Sequence, residues 1–105
     1  MGDRISITFK NEGDESIAFF SHWDGLGLKE KVKQYVKERL PRTGSQMKPL
    51  DRREPHTVMV DFISWLTKGE IVDSNYYLGK DGNDGDNSDN GHWVYDLNTD
   101  KWKHK

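Results

Sequence analysis

The chain has 105 residues, with 16 Lys and Arg against 18 Asp and Glu, a net charge of −2 and no cysteine. That length allows one domain, residues 1–105, with a modest core. Only 32% of residues are hydrophobic, but four Trp, four Tyr and four Phe can each bury a large area, so an aromatic core under a polar exterior is expected. The absence of cysteine excludes disulfides and thiolate metal sites and fits a reducing compartment. Without an apolar run of membrane-spanning length or a basic-then-apolar signal segment, the expectation is a soluble cytoplasmic protein.

Ile5, Ile7 and Phe9 alternate with Ser6 and Thr8, which predicts a strand with one buried face. Asn11-Glu12-Gly13-Asp14 supplies a turn, and a second strand is expected from Glu15 to about Trp23. On that strand Ile17, Phe19 and Trp23 share one face, while Ala18, Phe20 and His22 share the other. Being apolar on both faces, it belongs in the interior of a sheet. Leu28, Val32, Tyr35, Val36 and Leu40 recur at helical spacing up to Pro41.

After a connector from Arg42 to Arg53, Pro55 suits the first turn of a second helix. Val58, Met59, Phe62, Ile63 and Leu66 form its apolar stripe, and Gly69 is placed as its cap. Ile71 to Leu78 reads as a third strand and Trp93 to Leu97 as a fourth. Asn98-Thr99-Asp100 then turns into a short terminal strand carrying Trp102. The expected fold is α+β: an antiparallel sheet of four to five strands in ββααββ order, with two helices packed on one face.

Charge is distributed unevenly. Residues 28–53 hold nine Lys and Arg against three Asp and Glu, whereas residues 70–100 hold one Lys against eight Asp and Glu. The two stretches are either solvated surfaces that attract each other within the fold, or a basic face for a polyanion and an acidic face for a cation.

The densest acidic segment is Lys80 to His92, where Asp81, Asp84, Asp86 and Asp89 stand among Asn and Gly. Calcium takes six to eight oxygens from a flexible loop. With Asp86 first, Ser88 and Asn90 fall at positions three and five, Gly91 at the turn and the His92 carbonyl next. The twelfth position is Leu97, where a bidentate Glu is needed, so only half of such a loop is present. A solvated hairpin connection and a contact with a basic partner are the other uses of this composition. Four like charges in so short a span repel, so order in the loop requires a cation or a Lys/Arg partner.

His22-Trp23 and His92-Trp93 end one strand and open another. Were both at one sheet edge, His22, Asp24, His92 and Asp89 would offer mixed nitrogen and oxygen ligands to zinc, manganese or iron. A histidine there could also serve as general base, or simply pack with its ring nitrogens satisfied. The divalent-cation candidates are therefore Asp84, Asp86, Ser88, Asp89, Asn90, His92, His22 and Asp24, with Ca²⁺ or another divalent cation as the cofactor and a metal-dependent hydrolase as the enzymatic extreme. No Ser-His-Asp order, Gly-rich phosphate loop or His-Glu-x-x-His helix is present, so nothing identifies an enzyme.

The first helix presents Lys29, Lys33, Lys37 and Arg39 as a surface for a protein partner or simply for solvent. Nucleic acid would call for exposed aromatics among these cations, and Tyr35 is in core phase.

The strings Ser21-His22-Trp23-Asp24-Gly25, Glu54 through Phe62 and Tyr77-Leu78-Gly79-Lys80 through His92 are similar to small proteins of microbial and phage-type genomes that have no established activity. The resemblance implies a stand-alone domain and adds no chemistry. The functional expectation is a non-enzymatic protein-binding module, with divalent-metal binding as the alternative.

Overall fold

In the computed structural model, residues 2–40, 50, 52–68 and 75–105 are described. The elements are β1 (Ile5–Asn11), β2 (Asp14–Glu15), β3 (Ala18–Ser21), α1 (Gly27–Arg39), α2 (Pro55–Thr67), β4 (Tyr76–Gly79), β5 (His92–Asp96) and β6 (Lys101–His104). One sheet runs in the order β4-β3-β1-β5-β6, with β2 extending the β1 hairpin. Two helices on a largely antiparallel sheet bear out the α+β class.

The expectation of a wholly antiparallel sheet in ββααββ order is corrected. Three strands precede the helices, and β1 pairs with β5 in parallel from Ser6↔His92 to Lys10↔Asp96. The cause is where β4 docks. It adds to β3 at one edge, whereas β5 adds to the other side of β1. Because β4 and β5 both run parallel to β1, the chain between them must cross two strands and return to the starting end of the sheet. Its lateral reach is three strand spacings of roughly 4.8 Å each. Residues 80–91 are therefore a crossover and not a hairpin turn, which accounts for their length.

The helices cover the sheet face carrying Ile5, Ile7, Phe9, Phe19 and Tyr95. Leu28, Val32 and Tyr35 of α1 and Val58, Met59 and Phe62 of α2 pack against it. The aromatic core expected from composition is centred on Phe9, whose ring lies 5.6 Å from Phe62, 6.1 Å from Tyr95 and 6.5 Å from Tyr35. Pro55 opens α2, and its C-cap is Lys68 in the left-handed region; Gly69 and residues 71–74 of the expected third strand lie outside the described residues.

Arg53 ties the layers together. Its buried guanidinium donates to the carbonyls of Leu40 at 2.5 Å and Leu97 at 2.8 Å, and to Asp100 at 2.5 Å.

Two departures from the expected pattern shape the opposite face. Ser6 and Thr8, polar in alternation with β1's apolar residues, are as buried as Ile5 and Ile7, so β1 has two buried faces. And the second strand is interrupted. Lys10 pairs with Glu15, but Ile7 pairs with Phe19, so the partner strand has gained one residue at Ser16-Ile17. This is a β-bulge. It leaves Ile17 42% exposed instead of sharing the Phe19 face, and Trp23, beyond the end of β3, is 55% exposed. The bulge also reverses the phase of Glu15, placing it on the same face as Phe20 and His92.

Candidate functional site: a polar cavity beneath the acidic crossover

Residues 80–91 lie on the sheet face opposite the helices. A Cβ at Gly82 would stand 2.6 Å from the His92 ring, and one at Gly85 would stand 2.7 Å from the Tyr77 hydroxyl and 2.8 Å from Phe20. Only glycine lets the backbone approach this closely. Phe20 and Tyr77 stack beneath Gly85 with centroids 4.8 Å apart. The Tyr77 hydroxyl accepts the Asp86 N–H at 2.9 Å.

The loop's polar side chains organise its own backbone. Asp81 accepts the N–H of Asn83 at 2.9 Å, Asp84 that of Lys80 at 2.7 Å, and Asp86 that of Ser88 at 3.1 Å. Arg4 supplies the cation that an ordered acidic loop requires. Its Nε lies 3.2 Å from Asp86, while its Nη1 at 3.4 Å and its backbone N–H at 3.0 Å both reach Asp89. Donation from the Ser88 hydroxyl and N–H, aided by the Arg4 charge, holds the Asp86 carboxyl below the usual carboxylate range. Asn90 Nδ2 donates to Asp3 and to the Arg4 carbonyl.

The metal candidates thus fall into separate places. Asp86 and Asp89 hold the Arg4 guanidinium, Asn90 bonds to the Arg4 carbonyl, Ser88 bonds to Asp86, and Asp84 accepts the Lys80 N–H. Asp24 accepts the Tyr76 hydroxyl at 2.7 Å and pairs with Lys31 at 3.5 Å. His22 packs 5.0 Å from the Tyr77 ring and 5.7 Å from Trp23. His92 shares the sheet face with His22, but β1 lies between their strands, with Ser6 paired to Phe20 on one side and to His92 on the other. Among the described residues, no three His, Asp or Glu side chains gather to hold a metal ion.

His92 instead sits in a buried hydrogen-bonded chain that its sequence context did not reveal. Asn87 Nδ2 donates to Ser6 Oγ at 2.8 Å, and Ser6 Oγ lies 2.6 Å from His92 Nδ1. On the ring's other side, Nε2 is 3.4 Å from Thr8 Oγ1, which donates to Glu15 Oε2 at 2.7 Å. Thr8 gives its one proton to Glu15, so its oxygen accepts from Nε2; in the neutral ring Nδ1 then accepts the Ser6 proton. Neutral His92 thus carries its proton on Nε2. Burial pushes the His92 pKa below the ordinary imidazole value; Glu15 and Asp81 oppose the shift, whereas Lys105 and His104 reinforce it.

Above this chain is a cavity of about 480 Å³ lined by Glu15, Asp81, Gly82, Asn83, Asn87, Gly91, His92 and Lys105. Its rim carries the Glu15 carboxylate with Lys105 Nζ 3.5 Å away. Ser6, Thr8, Glu15, Asn87 and Lys105 escaped the sequence reading. Ser6 and Thr8 looked like solvent-facing alternation, and Glu15 joins them only through the bulge.

The four α1 residues expected to form a partner surface are unequal. Lys29 Nζ sits over the Trp93 ring, 3.3 Å from its centroid, and desolvation lowers its pKa. Arg39 is held by both oxygens of Asp61, at 2.8 and 3.2 Å. Lys33 and Lys37 are exposed. Among the described residues, no α1 cation is paired with an acid of the crossover, the two lying on opposite faces of the sheet.

No helix among the described residues is long and apolar enough to cross a membrane. In comparisons with known proteins, no family model, curated protein or solved structure matches this chain.

Proposed function

We propose that the chain is a non-enzymatic protein-binding module whose recognition pocket is the cavity between the acidic crossover and the sheet. The observation that carries this reading is the construction of that cavity. A loop of about a dozen residues is fixed by Arg4, by its own Asp and Asn side chains and by close glycine packing, and it walls a polar space above buried His92. Cavities of this size, with a few convergent polar groups, suit one side chain or a small ligand.

Ser6, His92 and Glu15 do not favour catalysis. Ser6 Oγ is fully buried, accepts from Asn87 and engages His92, so no reacting group can approach it. Both His92 nitrogens face hydroxyls of β1. The carboxylates that would serve a divalent cation are engaged with Arg4 and with backbone N–H groups.

A displayed random-peptide library tests the reading. Binders selected on the wild-type protein should lose affinity at least tenfold for Asn83→Trp, whose indole would fill the cavity mouth, while circular dichroism and thermal midpoint stay near wild type. Binders that ignore this substitution would place recognition elsewhere.

A further inference from the structure

The cavity rim holds two carboxylates, Glu15 and Asp81, against one ammonium, Lys105. Each is placed by a different element. The bulge at Ser16-Ile17 turns Glu15 onto this face, and Thr8 fixes its Oε2 by a 2.7 Å hydrogen bond, leaving Oε1 directed at Lys105. Asp81 begins the crossover, and its Oδ1 accepts the Asn83 N–H. Lys105 follows β6, where its N–H donates to the His92 carbonyl at 2.9 Å, continuing the β5–β6 ladder. In that strand phase its side chain projects, with those of Lys101 and Lys103, to the face of the crossover.

The contact of Lys105 with Glu15 is long, at 3.5 Å, and the lysine side chain is 52% exposed. An exposed ion pair of this kind contributes little net stability. It is readily exchanged for another cation that brings further contacts.

Resting on the proposed binding role, we infer that this cavity recognises a cationic side chain of a protein partner at Glu15, and that Lys105 is a tethered surrogate which the partner displaces. Three features define the ligand. The fixed Glu15 carboxylate supplies the counter-charge, with Asp81 across the cavity. Neutral His92 at the floor adds no positive charge. Of the remaining acids of the crossover, Asp86 and Asp89 are already shared with Arg4, whereas Asp84, which accepts the Lys80 N–H, adds a negative charge that favours a basic over an acidic side chain. An incoming ammonium replaces the Lys105 bond, and Lys105 returns to water with no net change in the number of ion pairs.

Titration of the ¹⁵N-labelled protein with three capped peptides tests this, using acetyl-Gly-Lys-Gly-amide and its counterparts with Gln or Glu at the centre. The lysine peptide should shift the His92, Asn87 and Lys105 resonances saturably. Lys105→Gln should bind it about two- to fivefold more tightly, the range set by loss of an exposed competing ion pair. Glu15→Gln, which retains an acceptor for Thr8, should abolish the shifts. Unchanged or weaker binding by Lys105→Gln, or undiminished binding by Glu15→Gln, overturns the inference. Saturable shifts from the Gln or Glu peptide but not from the Lys peptide would sink cation recognition and leave the pocket standing. Silence from all three, together with no cavity-dependent binder from the peptide library, would sink both.

Discussion

Ser6 Oγ stands 2.6 Å from His92 Nδ1, and the two residues are directly paired across the parallel β1–β5 ladder. That register is what the crossover produces. A chain forced to return to the start of the sheet enters β5 beside the first residues of β1. Polar side chains of β1 and β5 then meet under the connection that leads from β4 into β5. With Asn87 donating to Ser6, this pair holds the His92 ring at the floor of the cavity.

Loss of the serine hydroxyl should therefore be costly. Ser6→Ala leaves the buried Nδ1 without its partner and should destabilise the protein by about 1–3 kcal/mol in urea denaturation. Ser6→Thr, which retains the hydroxyl, should recover part of that loss. Equal stability of the alanine variant and wild type would contradict the hydrogen-bonded chain.

The His92 shift has a definite sign. Its folded-state pKa lies below the ordinary imidazole value, so the unfolded chain binds the proton first as pH falls. The stabilising contribution is fully present above about pH 6.5 and is lost as pH falls through that value toward the lowered one. His92→Gln should flatten stability against pH in this window. Lys105→Gln should raise the His92 titration midpoint and Glu15→Gln should lower it, as followed by the imidazole resonances. A midpoint insensitive to both would contradict the placement of these charges.

Two glycines, one in the crossover and one in α1, separate packing from backbone freedom. Gly85→Ala drives a methyl against Tyr77 and Phe20 and should cost about 1–3 kcal/mol, the usual range for overpacking. Gly27, at the start of α1, has nothing within 4 Å of the Cβ position. Gly27→Ala should gain about 0.5 kcal/mol by restricting the unfolded chain. Thermal melts of the two variants should move in opposite directions; similar shifts would mean that Gly85 is not packed against the sheet.

How much of this was legible in the sequence follows the range of each signal. Both helices, the alternation of β1 and the interior position of β3 came from local periodicity. Periodicity carries no information on whether β5 adds beside β4 or beside β1, so the parallel pairing and the crossover went unseen. The bulge adds a single residue at Ser16-Ile17, which is silent in an apolar stretch, and with it went Glu15. The acidic loop was recognisable as a candidate site, and the rule that its order needs a cation or a basic partner holds. Arg4 is that partner, and it lies far from the loop in sequence. Of the metal candidates, His92 proved to line the cavity, whereas His22 was separated from it by the width of β1.

Arg4 also bears on the metal alternative. Because Asp86 and Asp89 already share its guanidinium, Ca²⁺, Mg²⁺, Mn²⁺ and Zn²⁺ should leave the thermal midpoint where a matched ionic strength leaves it. A saturable rise with any one ion would restore a cation site to the loop.

The account rests most directly on the crossover being a fixed wall. Amide hydrogen exchange at Asp86, Asn90 and Gly91 measures this, since their N–H groups donate to the Tyr77 hydroxyl, the Arg4 carbonyl and the Asn87 carbonyl. All three should be protected in the wild-type protein, and less so in Arg4→Gln. Exchange of these amides at the rates of an unstructured chain would mean that the wall, and with it the cavity, does not exist.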